Sequence, residues 1–180
     1  MIKHGWLELA TKIPSPHFNE RPDPDDISLL VIHNISLPPE QFGNDFVEDF
    51  FCGKLNCSLD PYFESIRDLR VSSHLFIKRC GALIQFVAFD KRAWHAGVSE
   101  YNGHENCNDF SIGIELEGTD HLAYTSAQYT TLQLVTQQLI AEYPQLTPQR
   151  IVGHCDIAPG RKTDPGISFD WHYYLDGIES

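Results

Sequence analysis

Hydrophobic positions along the chain change period from segment to segment, and those changes outline the elements. Ser28-Leu29-Leu30-Val31-Ile32-His33 is a short, continuous apolar run closed by a histidine. Its length and β-branched content predict a strand buried on both faces, with His33 at its C-terminal end. Pro38 and Pro39 follow soon after and stop any continuation. Ser111 to Glu117 alternates instead, with Ile112, Ile114 and Leu116 on one side and Gly113, Glu115 and Glu117 on the other. The runs His74–Lys78 and Leu83–Val87 flank Cys80-Gly81 and predict a hairpin. Ile151-Val152 predicts a brief strand that delivers Gly153-His154.

The period then shifts to helical spacing. Phe46, Val47, Phe50 and Phe51 predict a short amphipathic helix. Thr125-Ser126-Ala127-Gln128 has the capping-box form, and Tyr129, Leu132, Thr136, Leu139, Ile140 and Tyr143 continue it as one stripe up to Pro144. Ser168 to Ile178 predicts a last helix, and the Pro- and Asp-rich segment Ile13 to Asp26 an ordered surface loop. With about five strands and about three helices, the expected fold class is α+β: a mixed sheet with helices packed on it, in a single domain spanning 1–180.

Composition narrows the function classes. A chain of 180 residues with 42% hydrophobic content suits one domain with a substantial core. Charged residues make up 21% without a long block of one sign, which excludes a disordered reading. The formal net charge of −12 argues against nucleic acid as a partner and against an anionic wall or membrane surface. No run approaches the ~20 apolar residues of a membrane span, and no apolar core follows the start of the chain as in a secretory signal. The expectation is an intracellular, cytoplasmic chain, with monomer as the default; the mature form of an exported protein would lack a signal as well. Five cysteines at irregular spacing read as reduced, mostly buried thiols. Cys52 and Cys57 are near enough for a local disulfide or half a zinc site, but no second pair completes a four-thiolate cage.

Candidate chemistry gathers at element ends. His33 and His154 each close a strand, and Asp164 follows inside Arg161-Lys162-Thr163-Asp164-Pro165-Gly166. Two histidines and a carboxylate could make a three-ligand zinc site with an open fourth position. Taken alone the constellation is weak, since a histidine at a strand end is more often a hydrogen-bonded structural residue and an Asp before Pro is an ordinary turn residue. If 162–164 is extended, Lys162 points to the side of Asp164 and could stabilise a developing oxyanion, or simply form a surface ion pair. Glu115 lies in a strongly apolar strand, with Gly113 on its face leaving room for a close approach. A buried carboxyl of raised proton affinity suits a general base, and a buried ion pair is the other reading. Glu117 shares that face. Trp94 next to a loop could stack on a sugar or pack in the core. His74 and His95 are reserve ligands, whereas Cys155 would point away from a metal held by its neighbour His154.

The run Gly153-His154-Cys155-Asp156-Ile157-Ala158-Pro159-Gly160-Arg161-Lys162-Thr163-Asp164-Pro165-Gly166 closely resembles the C-terminal motif of the zinc N-acetylmuramoyl-L-alanine amidases. Their fold is shared with the peptidoglycan recognition proteins and a phage lysozyme-type amidase. Supporting stretches are Gly5-Trp6-Leu7, Pro14-Ser15-Pro16, 33–39, 90–97 and 107–120, which span nearly the whole chain. They are most similar to the cytoplasmic branch of the family, which acts on 1,6-anhydro-muropeptides. The resemblance implies zinc held by His33, His154 and Asp164, with Glu115 as the acid/base residue and Lys162 at the substrate carbonyl oxygen. It further implies that Asn34, Trp94 and His95 line the pocket and that Arg70 meets a peptide carboxylate. The implied reaction is hydrolysis of the amide between the lactyl group of muramic acid and L-alanine, serving peptidoglycan recycling. Relatives can carry a basic residue where this chain has Asn106, so carboxylate recognition is expected to be weaker or to use Arg79 or Arg92. A secreted or phage-type amidase acting on polymeric wall and a non-catalytic peptidoglycan receptor on the same fold are the alternatives.

Overall fold

In a computed structural model, which describes residues 1–179, six strands form one sheet. They are β1 (Thr11–Lys12), β2 (Leu29–Ile35), β3 (Leu75–Ile77), β4 (Leu83–Gln85), β5 (Ser111–Glu117) and β6 (Ile151–Gly153), in the spatial order β6-β2-β5-β3-β4-β1. The first four strands in that order run parallel. Strands β3 and β4 form the antiparallel hairpin expected around Cys80-Gly81, with Leu75 opposite Gln85. The sheet is therefore mixed, as the patterning predicts. Strand β1 at its edge and three two-stranded ribbons add to the expected set. One ribbon pairs Phe18–Glu20 with Lys91–Ala93, so the segment from Ile13 to Asp26 is more than a surface loop, and Arg21 within it is buried.

Among the described residues, five α-helices surround the sheet rather than three: α1 (Phe46–Phe51), α2 (Pro61–Ile66), α3 (Ser126–Glu142), α4 (His154–Ile157) and α5 (Trp171–Glu179). Helix α2 starts where Asp60 accepts a hydrogen bond from the Tyr62 N–H, with Pro61 in the first turn. In α4, His154 opens a single helical turn rather than ending an extended segment, and Asp156 caps it by accepting from the Gly153 N–H at 2.7 Å. The capping box of α3 forms as expected: Thr125 Oγ1 accepts from Gln128 N–H and Gln128 Oε1 from Thr125 N–H, both at 3.1 Å.

Alternation along the central strands sorts side chains to two faces. Leu30, Ile32, Leu75, Ile77, Ile112 and Ile114 face the main core, which α3 closes with Tyr129, Leu132, Val135 and Leu139. The opposite face carries two smaller clusters. One holds Phe51 and Phe63 against Phe76 and Phe86, and the other packs Leu29 and Val31 against Ala96 and Ile157. His33 and Glu115 stand on this second face. No helix among the described residues is long and apolar enough to cross a membrane.

Candidate active site

The sheet register builds the site. Parallel pairing of β2 with β5 sets His33 beside Glu115 on one face. Pairing of β6 with β2 sets Gly153 beside Ile32, so the chain turns into α4 with His154 next to His33. The Cys155 N–H donates to Asp164 O at 3.0 Å and draws the Asp164 segment against α4. Three side-chain atoms meet as a result. His33 Nδ1 lies 3.0 Å from His154 Nδ1 and 3.1 Å from Asp164 Oδ2, and His154 Nδ1 lies 3.0 Å from the same oxygen.

These residues fit a zinc ion. His154 Nε2 donates to the Ala96 carbonyl at 3.1 Å, which leaves Nδ1 presenting a lone pair to the other two atoms. Converging lone pairs and a carboxylate are electrostatically poor company without a cation between them. Neighbouring ligands of a tetrahedral zinc stand about 3.3–3.6 Å apart, so a few tenths of an ångström of opening suffice. Burial pushes His33 down to about 4 against the pull of Asp164, which keeps its imidazole neutral, as ligation requires.

The triad opens onto a cavity of about 680 Å³. Its floor carries Glu115, whose Oε2 is buried with no hydrogen-bond partner among the described residues. Burial, together with the nearby Asp164 carboxylate, raises the Glu115 carboxyl well above its ordinary value, and Lys162 opposes the shift. Glu117 separates cleanly from it: its two oxygens accept from the Gly43 N–H at 2.6 Å and the Arg79 N–H at 2.9 Å. Lys162, Asn34 and Trp94 also line the cavity. Asn34 Nδ2 donates to Asp120 Oδ1 at 2.8 Å, and Trp94 Nε1 to Asn19 Oδ1 at 2.7 Å with its ring stacked on His17. His95 reaches the cavity wall from behind His33, with its Nδ1 2.9 Å from His33 Nε2. Leu37, Phe51, Tyr62, Ile66 and Leu69 add apolar surface to the lining.

Arg70 is not brought to this cavity. It is exposed, and its guanidinium donates to the Arg67 and Leu69 carbonyls of its own loop. The guanidinium of Arg92 pairs with Asp109, and that of Arg79 donates to Ala123 O. The arginine that does line the wall is Arg161, which donates to Ala96 O at 2.7 Å and Val98 O at 2.6 Å. It precedes Lys162 in the motif quoted above, so its position was signalled although its role was not. Asn108 and Arg21 were also missed. Asn108 Oδ1 accepts from both the His95 and Ala96 N–H groups, and buried Arg21 ties Phe89, Asn108 and Ser111 together through their carbonyls.

Comparison with known proteins follows the same lines. The family profile described as N-acetylmuramoyl-L-alanine amidase matches residues 23–167. The 1,6-anhydro-N-acetylmuramyl-L-alanine amidase AmpD of Haemophilus influenzae is 56% identical over 178 residues, 99% of this chain and 97% of that protein. A crystal structure of a selenomethionine AmpD derivative aligns with a TM-score of 0.96 at 55% identity, covering 99% of each chain. AmiD of Escherichia coli was solved with the substrate anhydro-N-acetylmuramic acid-L-Ala-D-γ-Glu-L-Lys. It aligns with a TM-score of 0.62 at 30% identity over 84% of this chain and 57% of that one. Fold, site geometry and near full-length identity converge, and the chain belongs to the N-acetylmuramoyl-L-alanine amidase family.

Proposed function

We propose that this chain is a zinc-dependent amidase that cleaves the bond between the lactyl group of 1,6-anhydro-N-acetylmuramic acid and L-alanine in soluble muropeptides. The observation that carries this reading is a buried Glu115, its Oε2 without a hydrogen-bond partner among the described residues, in an open cavity with three converging metal-ligand atoms. Zinc held by His33, His154 and Asp164 would supply a Lewis acid that makes water a competent nucleophile near neutral pH.

The chain's own residues do the rest. Glu115 takes the proton of the attacking water and returns it to the departing alanine nitrogen. Its raised proton affinity suits that exchange, and a cation held by the triad would lower it again by favouring the carboxylate. Lys162 places a positive charge on the cavity wall, where it donates to the carbonyl oxygen as negative charge builds. Trp94 offers a ring face to the sugar, Asn34 offers its amide oxygen, and the apolar wall around Tyr62 and Leu69 excludes water.

The substrate class is supported by the named activity of the 56% identical relative and by the anhydromuropeptide bound to AmiD. A net charge of −12 favours soluble fragments over an anionic wall, consistent with a monomeric enzyme of the cytoplasm. Cleavage of soluble anhydromuropeptides and of intact sacculi, measured side by side as release of L-alanyl peptide, tests the reading. We expect fast release from the former and little from the latter; equal rates per bond would point to a wall-degrading amidase.

A further inference from the structure

The far nitrogens of the two triad histidines are held by consecutive residues of one segment, and by different chemistry. His154 Nε2 donates to Ala96 O, a group that can only accept. His33 Nε2 instead meets a second imidazole, His95 Nδ1, at 2.9 Å. The near nitrogen of His33 faces His154 and Asp164, so a metal there requires the His33 proton on Nε2. His95 Nδ1 must then accept, and the His95 proton lies on Nε2, which is 3.1 Å from Ser111 Oγ. We infer that His95 is a positioning residue for the metal centre, fixing the tautomer and ring plane of His33 with Ser111 anchoring it from behind.

Three further features are built around that ring. A Cβ on Gly113 would stand 2.5 Å from His95 Cγ, so β5 leaves one side-chain space between Ser111 and Glu115 and the imidazole fills it. The backbone of both outer residues is fixed by one buried amide, since Asn108 Oδ1 accepts from His95 N–H at 3.0 Å and Ala96 N–H at 2.8 Å. Arg21 in turn donates to Asn108 O at 3.2 Å and to Ser111 O at 2.7 Å, which ties the clamp and the anchor to one guanidinium. Removing an outer partner of a ligating histidine commonly costs about 10- to 100-fold in metal affinity.

This inference rests on the zinc reading above, and its test separates the two. Zinc affinity is measured by competition with a chromogenic chelator for wild type, His95→Asn, His95→Gln, His95→Phe and Gly113→Ala, with thermal unfolding of the zinc-free forms as a folding control. Asn carries its side-chain oxygen near the place of Nδ1, whereas Gln reaches the place of Nε2. We expect His95→Asn to stay close to wild type and His95→Gln and His95→Phe to weaken by about 10- to 100-fold. Gly113→Ala, which displaces the ring without altering it, is expected to weaken as well. If His95→Phe fails to fold, the Asn and Gln variants decide. Equal affinity in all folded variants, or equal loss in Asn and Gln, overturns the role of His95 alone. A folded wild type with no zinc affinity overturns the zinc reading itself.

Discussion

Two glutamates share one face of β5, and their partners assign them different work. Glu117 is fully engaged by backbone N–H groups, whereas Glu115 Oε2 has no hydrogen-bond partner among the described residues and the side chain lines the cavity with the triad. Glu115→Gln removes the proton-accepting oxygen and keeps the shape, so we expect zinc content unchanged and turnover down by about 10²- to 10⁴-fold. Zinc analysis beside a rate measurement checks this, and a near-normal rate would remove Glu115 from the mechanism. For Lys162→Met we expect kcat to fall by about 10²- to 10³-fold with a smaller change in KM, because its charge matters most where the oxyanion forms. A change confined to KM would reassign Lys162 to substrate binding. At this scale the sequence carried the ligand types and the acid/base candidate, since strand alternation alone puts Glu115 opposite the apolar Ile112–Leu116 side. It could not separate Glu115 from Glu117, because their difference lies in loops at Gly43 and Arg79 that approach from distant parts of the chain. Nor could it show that Arg70 turns back onto its own loop while Arg161 lines the cavity.

Elements carry the site through their ends. The long helix α3 is joined to β5 at its first turn, where Gln128 Nε2 donates to Glu117 O at 2.9 Å while its Oε1 completes the capping box. Thr125→Ala should therefore cost about 1 kcal/mol of stability, and Gln128→Ala more, because Gln128 is buried and serves both roles. Chemical denaturation checks the order; equal losses would mean that the tie to β5 contributes nothing. The capping box, the hairpin and β5 were legible because each is a local pattern. Helix α2 carried a readable Asp60-Pro61 start but is only six residues long, too short for a periodic stripe. The turn at His154 was misread as extended because Gly153 and the Asp156 cap that start the helix leave no apolar periodicity.

For the molecule as a whole, two buried basic groups, Arg21 and His74, stand behind His95 of the site. Burial, helped by the Arg21 charge, pushes His74 down to about 3 from an ordinary 6.5. The unfolded chain takes up that proton near pH 6.5, and the folded chain only near pH 3. Protons therefore favour unfolding across that window: the stability is fully present above about pH 6.5 and is lost progressively as pH falls toward 3. Urea unfolding of the zinc-free protein should show a falling midpoint from pH 7 to pH 4; a flat profile would contradict a buried neutral His74. The two histidines were singled out in the sequence, but Arg21 was not, because it sits in a Pro- and Asp-rich stretch without periodicity and meets its partners only when the fold closes.

The central claim is that the triad of His33, His154 and Asp164 makes this chain a zinc amidase for anhydromuropeptides. The most direct measurement is hydrolysis of anhydromuramoyl-tripeptide, followed as release of free L-alanyl peptide, before chelation, after it, and after zinc is added back. We predict release that stops with the chelator and returns with zinc. No release from folded, zinc-loaded protein would contradict the account, leaving the fold in place and pointing to a receptor or to a different amide substrate.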